Sequence, residues 1–118
     1  MVAGLLQEQG FAVHGFFMLL PLPHVEEQVQ RVRLVADRLQ IPLHLVDMRE
    51  QFKERILSSF VSSYCQGYTP NPCVICNRQI KFGLLLEEML SQGMDRMTTG
   101  HYAQILKEQG LPGLHRAV

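Results

Sequence analysis

The chain has no surplus of charge of either sign. Eleven Lys plus Arg are matched by eleven Asp plus Glu, so net charge does nothing to hold a polyanion and nucleic acid is open as a partner only without that assistance. A membrane-length apolar run is also lacking. The longest near the start, residues 16–22, falls far below the roughly 20 residues a span requires, and no basic-then-apolar leader precedes it. The expectation is a soluble, cytoplasmic protein with no membrane partner. Three cysteines in a chain without a secretion signal exclude a structural disulfide framework and leave chemistry or metal as their use. There is no internal repeat and no low-complexity tract. What is present is ordinary globular material: 118 residues, 47% hydrophobic and 19% charged, room for at most one domain.

Residues 1–10 read as a short helix with no N-cap, stopped by Gly10. Residues 11–17 are rich in strand formers and too short for a buried helix, so a strand is expected there, ended by Pro21 and Pro23. From His24 to Gln40, Val25, Val29, Val32, Ala36 and Leu39 recur at steps of three and four, with Glu26, Glu27, Arg31 and Asp37 off the stripe, which describes a surface helix packed on something flat. A second strand is expected over 43–47. A helical stripe follows through Phe52, Ile56, Phe60 and Tyr64, and after a loop at Gly67, Pro70 and Pro72 another through Phe82, Leu85, Leu86, Met89 and Leu90, ending at Gly93. A third strand is expected over 95–100, entering a glycine loop, and a loop from Gly110 onward. Helix alternating with strand at these spacings argues an α/β fold, a parallel sheet with helices on its faces. A doubly wound sheet normally opens on a strand whose turn into the first helix carries phosphate-binding glycines, and this sequence opens on a helix instead.

Residues 69–83, Thr-Pro-Asn-Pro-Cys-Val-Ile-Cys-Asn-Arg-Gln-Ile-Lys-Phe-Gly, carry the chemistry. Pro70 and Pro72 stiffen the backbone and hold their predecessors extended, and Cys73 and Cys76 follow where a helix begins. Unsatisfied N–H groups and positive potential at a helix N-terminus favour a thiolate, the nucleophilic and metal-binding form, and Arg78 and Lys81 add cationic charge. The segment reads as a nucleophile beside an anionic substrate. Three other readings stand beside it. The pair could be packing, a dithiol redox switch, or part of a zinc site assembled from Cys65, Cys73, Cys76 and His101, although the chain has no second closely spaced pair. A non-catalytic thiol or zinc module built on Cys73 and Cys76 is the corresponding alternative function.

Gly67 to Gly83, followed by Thr99-Gly-His-Tyr-Ala103, closely resembles the tRNA-specific 2-thiouridylase family, tRNA-uridine 2-sulfurtransferases. The likeness runs from the first helix through Met18 and the 41–47 segment to the end of the chain, and corresponds to the family's middle. It implies a partial doubly wound parallel sheet of the adenine nucleotide alpha-hydrolase-like, PP-loop ATP pyrophosphatase type. ATP, with magnesium, adenylates the C2 oxygen of the wobble uridine of tRNA, and a sulfur nucleophile displaces AMP. By motif position, Cys76 is the nucleophilic cysteine, forming a disulfide with a persulfide-bearing cysteine as sulfide is released. Asn71, Pro72 and Cys73 stand where the family touches the target base, and Cys73 replaces the aspartate of many relatives. Gly100 and Met18 match ATP-contacting positions, although Met18 taken without the resemblance reads more readily as core than as a cofactor contact, and His101 matches a tRNA contact. Cys65 has no counterpart and reads as packing, and His14, His24, His44 and His115 carry no site signal.

The same resemblance places the family's Ser-Gly-Gly-x-Asp-Ser phosphate loop and first strand before Val2, and its persulfide cysteine and later tRNA-binding domains after Val118. Residues 1–118 are therefore expected to be an incomplete N-terminal catalytic domain, unable to thiolate tRNA alone, served by a sulfur-donor protein, and prone to self-association through exposed sheet edges.

Overall fold

The computed structural model describes residues 2–101, 103–108 and 110–116. The first helix, α1 (Val2–Glu8), ends as expected at Gly10, whose φ of 84° is the left-handed conformation glycine adopts without steric cost. The first strand lies further along than its composition indicated: β1 spans Gly15–Leu19 rather than 11–17. Pairing decides this. β1 runs parallel to β2 (Leu43–Asp47), in register from Gly15 opposite Leu43 to Leu19 opposite Asp47. Gly15 donates its N–H to the Pro42 carbonyl at 2.8 Å. A Cβ at Gly15 would lie 3.2 Å from the Leu43 side chain, so glycine permits the close approach that starts the ladder.

Between them, α2 (Val25–Leu39) packs on β1. Val25, Val29, Val32, Ala36 and Leu39 are all withdrawn from solvent while their neighbours are exposed, so this stripe is the one the spacing foretold. His24 and Gln40 close its two ends, both in left-handed backbone.

Two long helical stretches cover the core. The first comprises α3 (Arg49–Phe52), a wide-turned π-helical segment (Lys53–Leu57) and α4 (Ser58–Cys65). The second comprises α5 (Pro72–Cys76), a π-helical segment (Asn77–Leu85) and α6 (Leu86–Ser91). Met48, Ile56, Ile80, Leu85 and Met89 are buried together, with Phe16, Met18 and Val46 of the sheet packed against them. Two expectations about the stripes fail. Tyr64 faces outward at 57% exposure, and Phe82 and Leu90 are nearly half exposed while Ile80, outside the foretold stripe, is fully buried. The wide turns explain the second error. Ile75, Ile80 and Leu85 face inward at steps of five, the step of an i→i+5 helix, to which a 3.6-residue template is blind.

No strand forms over 95–100. That segment leaves α6 at Gly93 (φ 86°) and passes the unpaired edge of β1 without entering a ladder. The parallel sheet is therefore two-stranded among the described residues, not the larger doubly wound sheet expected. The tail is likewise not loop. β3 (Ala103–Glu108) and β4 (Leu111–Arg116) form a separate antiparallel hairpin turned at Gly110, with Ile105 opposite Leu114.

Candidate functional site

The proline bend shapes the thiol segment as its composition requires. Asn71 is extended (φ −105°, ψ 94°), and its Oδ1 accepts the Cys73 N–H at 3.1 Å, capping α5 with Pro72 in the first turn. Asparagine supplies the cap oxygen, and proline presents no N–H to leave unpaired there. All three cysteines are free. Cys65 and Cys73 are exposed and Cys76 is half-buried, packed against the core around Ile56 and Ile80. α5 packs against the π-helical Lys53–Leu57 segment.

This burial overturns the expected acidity of Cys76. Loss of solvent pushes its thiol above the ordinary value, Lys81 pulls back in the opposite direction, and Cys73 adds to the rise. The helix-terminus argument misses because Cys76 lies in the second turn, beyond the orphan N–H groups of the cap, which end at Val74.

A cleft of about 1240 Å³ opens between the edge of β1, the second helical stretch and residues 93–101. It is larger than most small-molecule sites. Met18, Gly100 and His101 all line it, together with Phe16, Lys81 and Met97. The structure thus brings together three of the positions singled out from the sequence. Asn71, Pro72, Cys73 and Cys76 lie outside the lining. Lys81 connects the two groups, since it lines the cleft and its charge acts on the Cys76 thiol. The ring of His101 lies 5.5 Å from that of Phe82, and its Nδ1 is 2.5 Å from Thr99 Oγ1. Met18 serves two roles, in the core and on the cleft wall.

The lining fits an adenine nucleotide. Phe16, Met18 and Met97 offer apolar surface for a base, and Lys81 and Arg96 offer cations for phosphates. At Gly100 a Cβ would meet nothing within 4 Å among the described residues, so the backbone stands open to a ligand. Asp95 is the carboxylate on the wall and could reach a magnesium ion, which is commonly held by one or two carboxylates plus substrate phosphates. Among the described residues no three His, Cys, Asp or Glu are grouped to hold a metal ion, so Cys65, Cys73, Cys76 and His101 are not assembled as a zinc site.

Sequence reasoning missed one feature. His14 Nδ1 lies 2.9 Å from His44 Nε2, the two rings stack, and Phe16 stacks on His44 at 4.5 Å. The signal was their placement just before β1 and within β2, which register makes neighbours. Away from the cleft, Arg49 grips Asp47 through Nε at 2.9 and 3.1 Å and holds its carboxyl at about 2.

Fold and site define an α/β protein whose parallel sheet opens onto a wide cleft beside a thiol-bearing helix. All of residues 1–118 match the family described as tRNA methyl transferase HUP domain, and the chain belongs to that family. It is 48% identical over 114 residues to the tRNA-specific 2-thiouridylase MnmA of Desulfotalea psychrophila, covering 97% of this chain and 33% of that protein. It is 42% identical over 130 residues to the protein of the same name from Carboxydothermus hydrogenoformans, covering 98% and 36%. For the one from Treponema denticola the identity is 46% over 114 residues, covering 91% and 31%. The chain thus spans about a third of the length of the curated relatives it matches. No helix among its described residues is long and apolar enough to cross a membrane.

Proposed function

We propose that residues 1–118 are part of the N-terminal catalytic domain of a tRNA-uridine 2-sulfurtransferase of the PP-loop type, acting on the wobble uridine of tRNA. The observation that carries this reading is the cleft in which Met18, Gly100 and His101 meet, joined through Lys81 to the helix of Cys76. Bound ATP supplies an adenylyl group, which turns the C2 oxygen of uridine from a very poor leaving group into a good one. In the cleft, Met18 and Phe16 would hold the adenine, the open Gly100 backbone would take the nucleotide, and Lys81 and Arg96 would serve its phosphates. His101, beside Gly100, takes a tRNA contact. Asn71, Pro72 and Cys73 present a rigid polar edge to the target base, and Cys76 is the thiol that ends in a disulfide when a donor persulfide gives up sulfide. Its raised pKa keeps it protonated at rest, and Lys81 is the charge that favours its ionisation. A sulfur-donor protein and tRNA are the partners this chemistry requires.

Gly100→Ala tests the nucleotide assignment cleanly. The added methyl meets nothing in the free protein, so the fold should be unchanged while a nucleotide packed on the backbone is displaced. Calorimetric titration with ATP should show affinity reduced about tenfold, roughly 1.4 kcal/mol. Unchanged affinity would remove Gly100, and with it the cleft, from the reading.

A further inference from the structure

The sulfur transfer outlined above gives the thiol of Cys73 no chemical task. Cys73 is exposed and free, and it stands three residues before Cys76 on the helix, hence on the same face. The two are close enough for the charge of one to act on the other. On a regular helix such Cβ atoms lie about 5–6 Å apart, against roughly 3.5–4.5 Å in a disulfide. A small closing movement suffices, and the first turn is where a helix allows it. The Cys73 N–H has no partner within the helix and is held by the Asn71 side chain. A substitution that retained only the cap and the base contact would not need sulfur at this position.

We infer that Cys73 is the resolving thiol of the sulfur-transfer site, the group that frees Cys76 from its donor after sulfide has left. This rests on the reading of Cys76 given above. In the first step the Cys76 thiolate attacks the inner sulfur of a persulfide R–S–SH, forming Cys76–S–S–R and expelling hydrosulfide. In the second, the Cys73 thiolate attacks Cys76 Sγ, forming the Cys73–Cys76 disulfide and expelling R–S⁻, which takes up the proton Cys73 gave to solvent. The sulfane sulfur gains two electrons and the two cysteines together lose two. An external dithiol then reduces the pair for the next cycle.

The test uses the whole chain carrying Cys65→Ser, which removes the remaining exposed thiol, with and without Cys73→Ser. Each is mixed with a small alkyl persulfide, quenched in acid, and mapped by mass spectrometry under non-reducing conditions. The parent should lose the mixed disulfide at Cys76 to an internal Cys73–Cys76 disulfide, releasing one hydrosulfide and one alkyl thiol per chain. In Cys73→Ser the mixed disulfide should persist at least ~10-fold longer, because no neighbouring thiolate attacks it. Equal lifetimes in the two chains would overturn the resolving role and leave the thiouridylase reading standing. If neither chain forms a mixed disulfide at Cys76 although Cys73 reacts, the assignment of Cys76 fails and takes this inference with it.

Discussion

A thiol in the first turn of a helix and one in the second occupy different surroundings, even on the same face. Cys73 is exposed beside the Asn71 cap, whereas Cys76 is half-buried against the core that contains Ile56 and Ile80. The stiff proline bend and the start of a helix at the two cysteines were legible from Pro70, Pro72 and the Asn71 cap position. That one of them is half-buried was not, because it depends on the packing of α5 against residues 53–57, a contact no local pattern encodes. Two measurements follow. Iodoacetamide should modify Cys76 more slowly than Cys73 or Cys65 at neutral pH, read by peptide mapping. Because burial raises the Cys76 pKa, the folded state favours the protonated thiol. That contribution to stability is complete below the unfolded thiol value and is lost as pH rises through the higher folded value. The urea midpoint should therefore fall above pH 9.0, the ordinary thiol value, and fall less in Cys76→Ala. A midpoint equally pH-dependent in both proteins would contradict this.

At the scale of elements, the helix that obeys one period throughout was the easiest to read. α2 turned out with every foretold apolar position inward, and β2 with the foretold ends. The second helical stretch was misread where its period changes, since Ile75, Ile80 and Leu85 follow the five-residue step of wide turns. The hairpin was invisible for a different reason. Pro112, Gly110 and Gly113 weaken any strand signal over 110–116, and pairing across the turn with Ala103–Glu108 supplies what propensity does not. Residues 95–100 contain strand formers and still form none, since they pass the edge of β1 without entering a backbone ladder. Ile80 is fully buried and Phe82 is 47% exposed, which gives a direct comparison. Ile80→Ala should cost about 2–5 kcal/mol in urea unfolding, and Phe82→Ala about 1 kcal/mol or less, despite its larger side chain. Comparable losses would mean that the wide-turned register is wrong.

Taken whole, the molecule carries little core for its length. Six hydrophobic residues are buried among those described, and the radius of gyration is 16.8 Å where a compact chain of this size would show roughly 13–14 Å. On the hairpin, Ile105 and Leu114 are 73% and 80% exposed. Among the described residues each sheet has two strands whose outer edges enter no ladder, and a net charge of zero provides no repulsion between copies. Self-association at micromolar concentration is the expected behaviour, together with a low urea midpoint. Light scattering that showed a monodisperse monomer with a sharp cooperative transition would contradict this. The family was legible at this scale from residues 67–83 and 99–103. The cleft was not, because it is enclosed by segments far apart in sequence.

Amide hydrogen exchange tests the central claim most directly. Residues 97–101 form no ladder and should exchange rapidly in the free chain. Saturating ATP should slow exchange there and along the edge of β1 near Met18. Adding a tRNA anticodon stem-loop with uridine at the wobble position should extend the protection to residues 71–76. Protection by ATP that spared 97–101, or stem-loop protection confined to the 103–116 hairpin, would show that the cleft and the thiol helix do not form one site.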